Sequence, residues 1–344
     1  MLDGTPVIDV HHHFVPEEVF ATLRAEASGA ERLVNDVLSM TLDPTLCHVD
    51  AHLEAMEVAG VDAAVLTYSA LSVLGPGICQ SLNDAFAGLQ RAHPRVFHGA
   101  IHVDLQDPAR AAAELERGAN ELGMRAIALP TSAPAARIDD PSLRPVWEVA
   151  EDLGLPVLLH PASLPAGAST DYGLERSCAR PFDTTTAVVR LMYGVLPHHP
   201  GLRFLAPHCG GTAPYLKGRL QMFFTAPGAA PRSLPRTQRE LAEEGLDVAF
   251  ERLWSRIFAD TAGNGGWTPV TRAALEILSP ERLCFGSDFP LESHSGATLA
   301  ELTGTLSALG LAPDERAALA AGNAAALLGI PLSAVGRAGS ATRG

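Results

Sequence analysis

Near the start of the chain, the run VIDVHHHFVP sets His11, His12 and His13 in succession among apolar residues. In an extended strand residues i and i+2 share a face, so His11 and His13 can converge on one point while His12 points away. Further along, VLLHP contributes His160, LAPHCGG contributes His208, and FGSDFP contributes the carboxylate of Asp288. Imidazole nitrogens with one carboxylate oxygen form a donor set for a catalytic divalent cation that keeps a position open for water or substrate. Zn2+ suits such a set best, and Mn2+, Fe2+ or Co2+ can occupy the same ligands. Taken singly, each histidine is more often a hydrogen-bonded core residue, so the argument needs a fold that brings them together.

That fold is written in the spacing of the apolar runs. Eight short β-branched stretches recur at 7–13, 62–68, 96–103, 125–131, 156–160, 202–208, 256–262 and 282–288, each separated from the next by enough chain for a helix. Repeated βα units predict a parallel sheet, and eight of them most economically close into a distorted TIM (β/α)8 barrel of the α/β class. Functional groups in a barrel gather at the C-terminal strand ends, which is where His11, His13, His160, His208 and Asp288 fall. Asp9 shares the odd parity of His11 and His13 and is expected on the same inward face.

Asp107-Pro108, Asp140-Pro141 and Thr268-Pro269 each read as a cap followed by a first-turn proline. Two stretches break the rhythm, about 22–48 and 221–253, and are expected to form lids or subunit contacts. One domain is expected over 1–330, with 331–344 a flexible tail.

Composition narrows the chemistry. A net charge of −14 disfavours nucleic acid and anionic membranes as partners, since both require a basic surface. No apolar run approaches the roughly 18 to 20 residues of a membrane span, and a soluble, cytoplasmic protein is expected. Five dispersed cysteines suggest neither a disulfide framework nor a zinc knuckle. Lys217 is the only lysine and lies outside the strands, so a binuclear centre bridged by a strand lysine is excluded and one metal ion is expected.

These residues as a set resemble the amidohydrolase superfamily, in the amidohydrolase-related branch that includes aminocarboxymuconate semialdehyde decarboxylase and other non-oxidative decarboxylases. The resemblance runs through IDVHHHFVP, NDAFAGLQRAHPRVFHG, LPVLLHP, PFDTTTA, LRFLAPHCGG, FADTAG, CFGSDFP and GNAAALLGI. It implies His11, His13, His160 and Asp288 as metal ligands, with His208 the catalytic histidine and Asp288 sharing proton transfer. It also implies a homodimer in which Arg219 reaches the neighbouring subunit's site to bind a substrate carboxylate. Where that decarboxylase carries a second substrate-binding arginine, this chain reads Ala51-His52-Leu53, a departure that loosens the tie to its particular substrate.

The expected activity is metal-dependent decarboxylation of a small aromatic or unsaturated carboxylic acid. Hydrolysis of an amide or lactone, or hydration of an alkene, needs the same parts, and a catalytically silent barrel used for binding stands as the non-enzymatic alternative. Phe182, Trp267, Phe289 and His294 lie near strand ends or the loops after them and are candidates to line a substrate pocket, as are Tyr68, His102 and Ser163. For each of these, packing is the commoner role.

Overall fold

The computed structural model describes residues 4–27, 32–34, 39–132, 137–161, 168–226 and 234–336. Ser163, parts of both insertions and the tail from 337 lie outside the described residues. Among the described residues ten strands follow in chain order: β1 (Ile8–His13), β2 (Arg32–Val34), β3 (Ser39–Thr41), β4 (Ala63–Thr67), β5 (Phe97–His102), β6 (Ala126–Pro130), β7 (Val157–His160), β8 (Phe204–Ala206), β9 (Ile257–Asp260) and β10 (Leu283–Cys284). The pair β2–β3 is an antiparallel hairpin within the first insertion, and the other eight form one parallel sheet in sequence order.

The sheet closes. Val10 N–H donates to Phe285 O at 3.0 Å, Asp288 N–H to His11 O at 2.9 Å and His13 N–H to Phe289 O at 2.8 Å, which seals the last strand against the first. Regular pairing in that last strand ends at Cys284, well short of the expected 288, although its backbone bonds to β1 continue. The cause is local: Gly286 approaches Asp260 and His11 too closely for a side chain, and Asp288 takes a left-handed φ of +53°. Strand β8 likewise stops at Ala206, because His208 and Cys209 adopt φ of +57° and +54°.

Strand β1 departs from simple alternation in a way that matters for the site. Asp9 pairs with Ala64 and His12 with Leu66, so three steps on β1 match two on β4, a bulge that inserts one residue. The expected parity of Asp9 is therefore wrong. Beyond the bulge His11 and His13 turn together, while the Asp9 carboxylate bonds His12 on the other side of the strand at 2.9 Å.

Two apolar layers hold the frame. A cluster of Ile8, Val10, Ala63, Val65, Ala100, Ala126, Ala128, Leu158 and Leu205 draws on alternate strand positions and packs against Ala324, Leu327 and Leu328 of the helix Asn323–Leu328. Since Ile8 and Val10 precede the histidines on β1, this cluster fills the N-terminal half of the barrel and leaves the polar groups at the opposite mouth. A larger cluster, including Phe204, Trp147, Phe224, Phe250 and Trp254, fills the space between strands and helices. Each such fully buried side chain contributes about 1.5–3 kcal/mol relative to exposure.

Helix starts follow the proline signals in part. Asp107 caps the helix Pro108–Asn120 through Arg110 N–H, and Asp140 caps a 3-10 turn through Ser142 N–H. At the third signal the cap position is Trp267, with no side-chain cap, and Thr268 already lies within the helix Thr268–Leu278. Lys217 on the helix Ala213–Thr225 pairs with Glu251 at 2.9 Å, a surface role.

Candidate metal centre

At the barrel mouth one donor atom each from His11, His13, His160 and Asp288 falls within 4.8 Å of all the others. The orientation of each ring is set from behind. His11 Nδ1 faces Asp260 Oδ2 at 2.9 Å, His13 Nδ1 faces Thr67 O at 3.2 Å and His160 Nδ1 faces Pro161 O at 3.0 Å. A carboxylate or carbonyl oxygen only accepts, so each Nδ1 carries the proton and each Nε2 presents a lone pair. His11 Nε2 and His13 Nε2 then stand 3.2 Å apart as two acceptors, with Asp288 Oδ1 2.9 Å from the second and without a hydrogen bond. Three ring nitrogens and a carboxylate converging on one point fit a divalent cation.

Electrostatics agree with that fit. Burial works against the charged form of His11, yet Asp260 beside it raises its pKa to about 9, so the pocket favours positive charge at that ring. Burial likewise opposes the Asp288 carboxylate, but the rings of His13, His11 and His208 hold it far below the ordinary range. His160, buried beside the other two rings, is driven well below the usual histidine value and stays neutral, as a ligand must.

His208 sits beside this cluster without joining it. Its ring stacks on His11 with centroids 5.1 Å apart, and its Nε2 lies 3.8 Å from Asp288 Oδ2, buried and without a hydrogen-bond partner among the described residues. Burial, then the charge of His11, lowers its pKa to about 4. The turn that delivers it is strained: left-handed φ at the two non-glycine residues His208 and Cys209 costs of order 1–3 kcal/mol each. It is held by His208 N–H donating to Asp260 Oδ1 at 2.9 Å, and by Gly211, whose missing side chain admits Pro181 O. Gly263 closes over the ring from the next loop, with no room for a Cβ.

Asp260, at the end of β9, thus binds both His11 and His208, a role that sequence reasoning did not assign although FADTAG had been marked. Tyr68 completes the wall. It is buried with its ring 4.9 Å from His13, and burial, then Asp288, pushes its phenol up.

The remaining candidates disperse. His102 is a core residue: its Nδ1–H donates to Ala100 O and its Nε2 accepts from Tyr68 N–H, both at 2.9 Å. Phe289 is buried at 1% exposure, stacked behind β1 on His12 at 5.1 Å. Trp267 is 66% exposed, His294 is exposed, and Phe182, at 57%, lines an outer groove of about 1260 Å3 that includes none of the four ligands. Arg219 is exposed on the helix Ala213–Thr225, its guanidinium 5.2 Å over Phe223. Cys209 is buried, which raises its thiol to about 12 and leaves no nucleophile. Arg176 ties the first insertion down by donating to Thr41 Oγ1 at 3.1 Å.

Known proteins resemble this chain in sequence and in fold. A 6-methylsalicylic acid decarboxylase of Penicillium expansum is 26% identical over 303 residues, covering 83% of this chain and 86% of that protein. The crystal structure of 5-carboxyvanillate decarboxylase from Sphingomonas paucimobilis superposes with a TM-score of 0.78 at 24% identity, covering 95% of this chain and 100% of that one. A dihydroxybenzoic acid decarboxylase from Polaromonas, solved with bound manganese and 2-nitroresorcinol, gives 0.71 at 22% identity over 95% and 97% of the two chains. Residues 8–330 match the family model described as Amidohydrolase, which spans the whole barrel and every residue of the metal cluster, and the chain belongs to that family.

Proposed function

We propose that this protein is a metal-dependent, non-oxidative decarboxylase of a small aromatic carboxylic acid. The observation that carries the reading is His208 Nε2, buried and unpartnered 3.8 Å from Asp288 Oδ2 at the edge of a four-ligand cluster, in a chain whose relative from Penicillium is a decarboxylase. His11, His13, His160 and Asp288 would hold the ion. When bound, a divalent cation supplies Lewis acidity that orients a substrate carboxylate and stabilises charge developing on its oxygens.

The chain's own groups manage the proton. Direct loss of carbon dioxide would leave an aryl anion, so the carboxylate-bearing carbon must gain a proton before or as the bond breaks, one proton taken up for each carbon dioxide lost. Asp288 Oδ2, the oxygen turned toward His208, is the atom that passes to that carbon a proton taken up from solvent, and it ends the step again as a carboxylate. His208, neutral at pH 7, stands across from that oxygen and fixes the direction of transfer. Tyr68, buried with its ring against His13, closes the wall on that side.

Three imidazoles and one carboxylate suit Zn2+, and the manganese of the Polaromonas structure makes Mn2+ the competing assignment. Metal analysis of the purified protein, followed by reconstitution with each ion, decides between them. We assign the protein to a homodimer of the cytoplasm, with exposed Arg219 offered to a substrate carboxylate in the partner's site. No helix among the described residues is long and apolar enough to cross a membrane.

The test is a panel of hydroxybenzoates, carboxymuconate-type acids, lactones and amides given to metal-loaded protein, with carbon dioxide followed against ring or amide opening. Carbon dioxide with the matching arene is expected. Hydrolysed product without carbon dioxide would sink the decarboxylase reading.

A further inference from the structure

Behind the metal centre, on the outer side of β1, runs a second polar chain that the reaction does not use. Asp9 Oδ1 accepts from His11 N–H and Ser287 N–H, both at 3.1 Å. Its Oδ2 accepts from the Ser287 hydroxyl at 2.5 Å and from His12 Nδ1–H at 2.9 Å. His12 Nε2 lies 2.8 Å from His52 Nδ1, and His52 Nε2 lies 2.8 Å from Thr45 O. A carbonyl oxygen can only accept, so His52 carries its proton on Nε2 and receives the N–H of His12 on Nδ1. Asp9, His12, His52 and Ser287 all have 0% exposure.

We propose that His52, on the helix Val49–Ala59, is a positioning residue for the metal centre, acting through His12 and Asp9 to hold Asp288 in place. The geometry is specific to Asp288 because the chain grips both of its neighbours. Ser287 is held by its two bonds to Asp9, and Phe289 by packing its ring on His12 at 5.1 Å and edgewise on His52 at 5.1 Å. Asp288 itself sits at φ +53°, a conformation that persists in a non-glycine residue only where its surroundings over-determine it. The same Asp9 carboxylate fixes the main chain of His11, so one buried group sets the spacing of two ligands from different strands.

A proton conduit is the competing role for such a chain, and its end decides against it. Thr45 offers a peptide carbonyl, which has no proton to relay, and the members are sealed from water; the chain is a brace. It also gives Ala51-His52-Leu53 a purpose distinct from substrate binding.

The inference rests on the metal-centre reading and not on the identity of the substrate, so the test is metal affinity without substrate, by competition of Zn2+ and Mn2+ against a chromophoric chelator. His52→Phe keeps the ring volume and deletes both bonds. It should weaken metal binding by about 10- to 100-fold, the usual effect of removing support behind a ligand. His12→Phe should do the same, and the double variant should bind within about twofold of the weaker single, because one chain can be broken only once. Unchanged affinity in folded His52→Phe, or losses that multiply in the double variant, would overturn the proposal. Should His52→Phe not fold, His52→Gln serves, with an intermediate loss expected and unchanged affinity again decisive against. A wild-type protein that binds neither ion would instead remove the metal centre itself.

Discussion

Asp260 and His208 are joined through the main chain: His208 N–H donates to Asp260 Oδ1 at 2.9 Å, while the other oxygen of that carboxylate accepts His11 Nδ1–H at 2.9 Å. One side chain therefore orients a histidine of the donor cluster and fixes the strained turn that presents His208. Asp260→Asn keeps the shape but can offer an oxygen to only one of the two donors, setting an NH2 against the other. Metal affinity should fall by about 10- to 100-fold, with kcat falling as His208 shifts. Chelator competition and steady-state kinetics check it; both quantities unchanged would show that the carboxylate is not the shared anchor.

Gly263 separates the two halves of that arrangement. Its φ is +79°, and the three atoms nearest to a Cβ there would all belong to His208, at distances that collide with its ring. Gly263→Ala should lower kcat by about 100-fold, the scale of a 1 Å misplacement of a catalytic group, and leave metal stoichiometry intact. Loss of the metal together with activity would mean that His208 and the ligand cluster cannot be displaced independently.

His102 makes a prediction about pH. Burial lowers its pKa to about 4 from an ordinary 6.5, and protonation would place a hydrogen on Nε2 where Tyr68 N–H already donates. A depressed histidine favours the neutral folded form, so as pH falls the unfolded chain takes up the proton first. The contribution, about 3 kcal/mol, is fully present above pH 6.5 and is lost progressively toward pH 4. Denaturant melts across that window should show a shallower pH slope in His102→Gln than in the wild type. Parallel slopes would refute the assignment.

The barrel and the convergence of His11, His13, His160 and Asp288 were legible because both depend on periodicity. Apolar runs at βα spacing gave eight strands, and ligands at strand ends follow from chain direction alone. What escaped was local backbone geometry. The bulge in β1 shifts parity by one residue and carries Asp9 away from the donor cluster and onto His12, and no residue type announces it. Left-handed turns at His208 and Asp288 shorten two strands in a way that β-branched content does not reveal. Aromatics near strand ends misled for a different reason. Phe289 follows a ligand in sequence, yet its ring points behind the strand, whereas Tyr68, at the end of β4, faces the centre. The partner of His12 was equally hidden, since His52 is 40 residues away and meets it only once a helix has packed against the barrel.

Arg219 bears on assembly. Its guanidinium is exposed on the helix that follows the His208 turn, stacked on Phe223, and so stands available to a second subunit. If it completes the partner's site, Arg219→Ala and His208→Gln chains are each inactive as homodimers, but a mixed dimer holds one site with both residues intact. Random mixing makes half of all dimers mixed and restores one of their two sites, so about a quarter of wild-type activity should return on refolding the two together. An arginine acting within its own chain restores nothing, because every site then lacks one residue or the other. Mass spectrometry of the mixture confirms that mixed dimers have formed, and activity at the background level in their presence would place Arg219 outside the shared site.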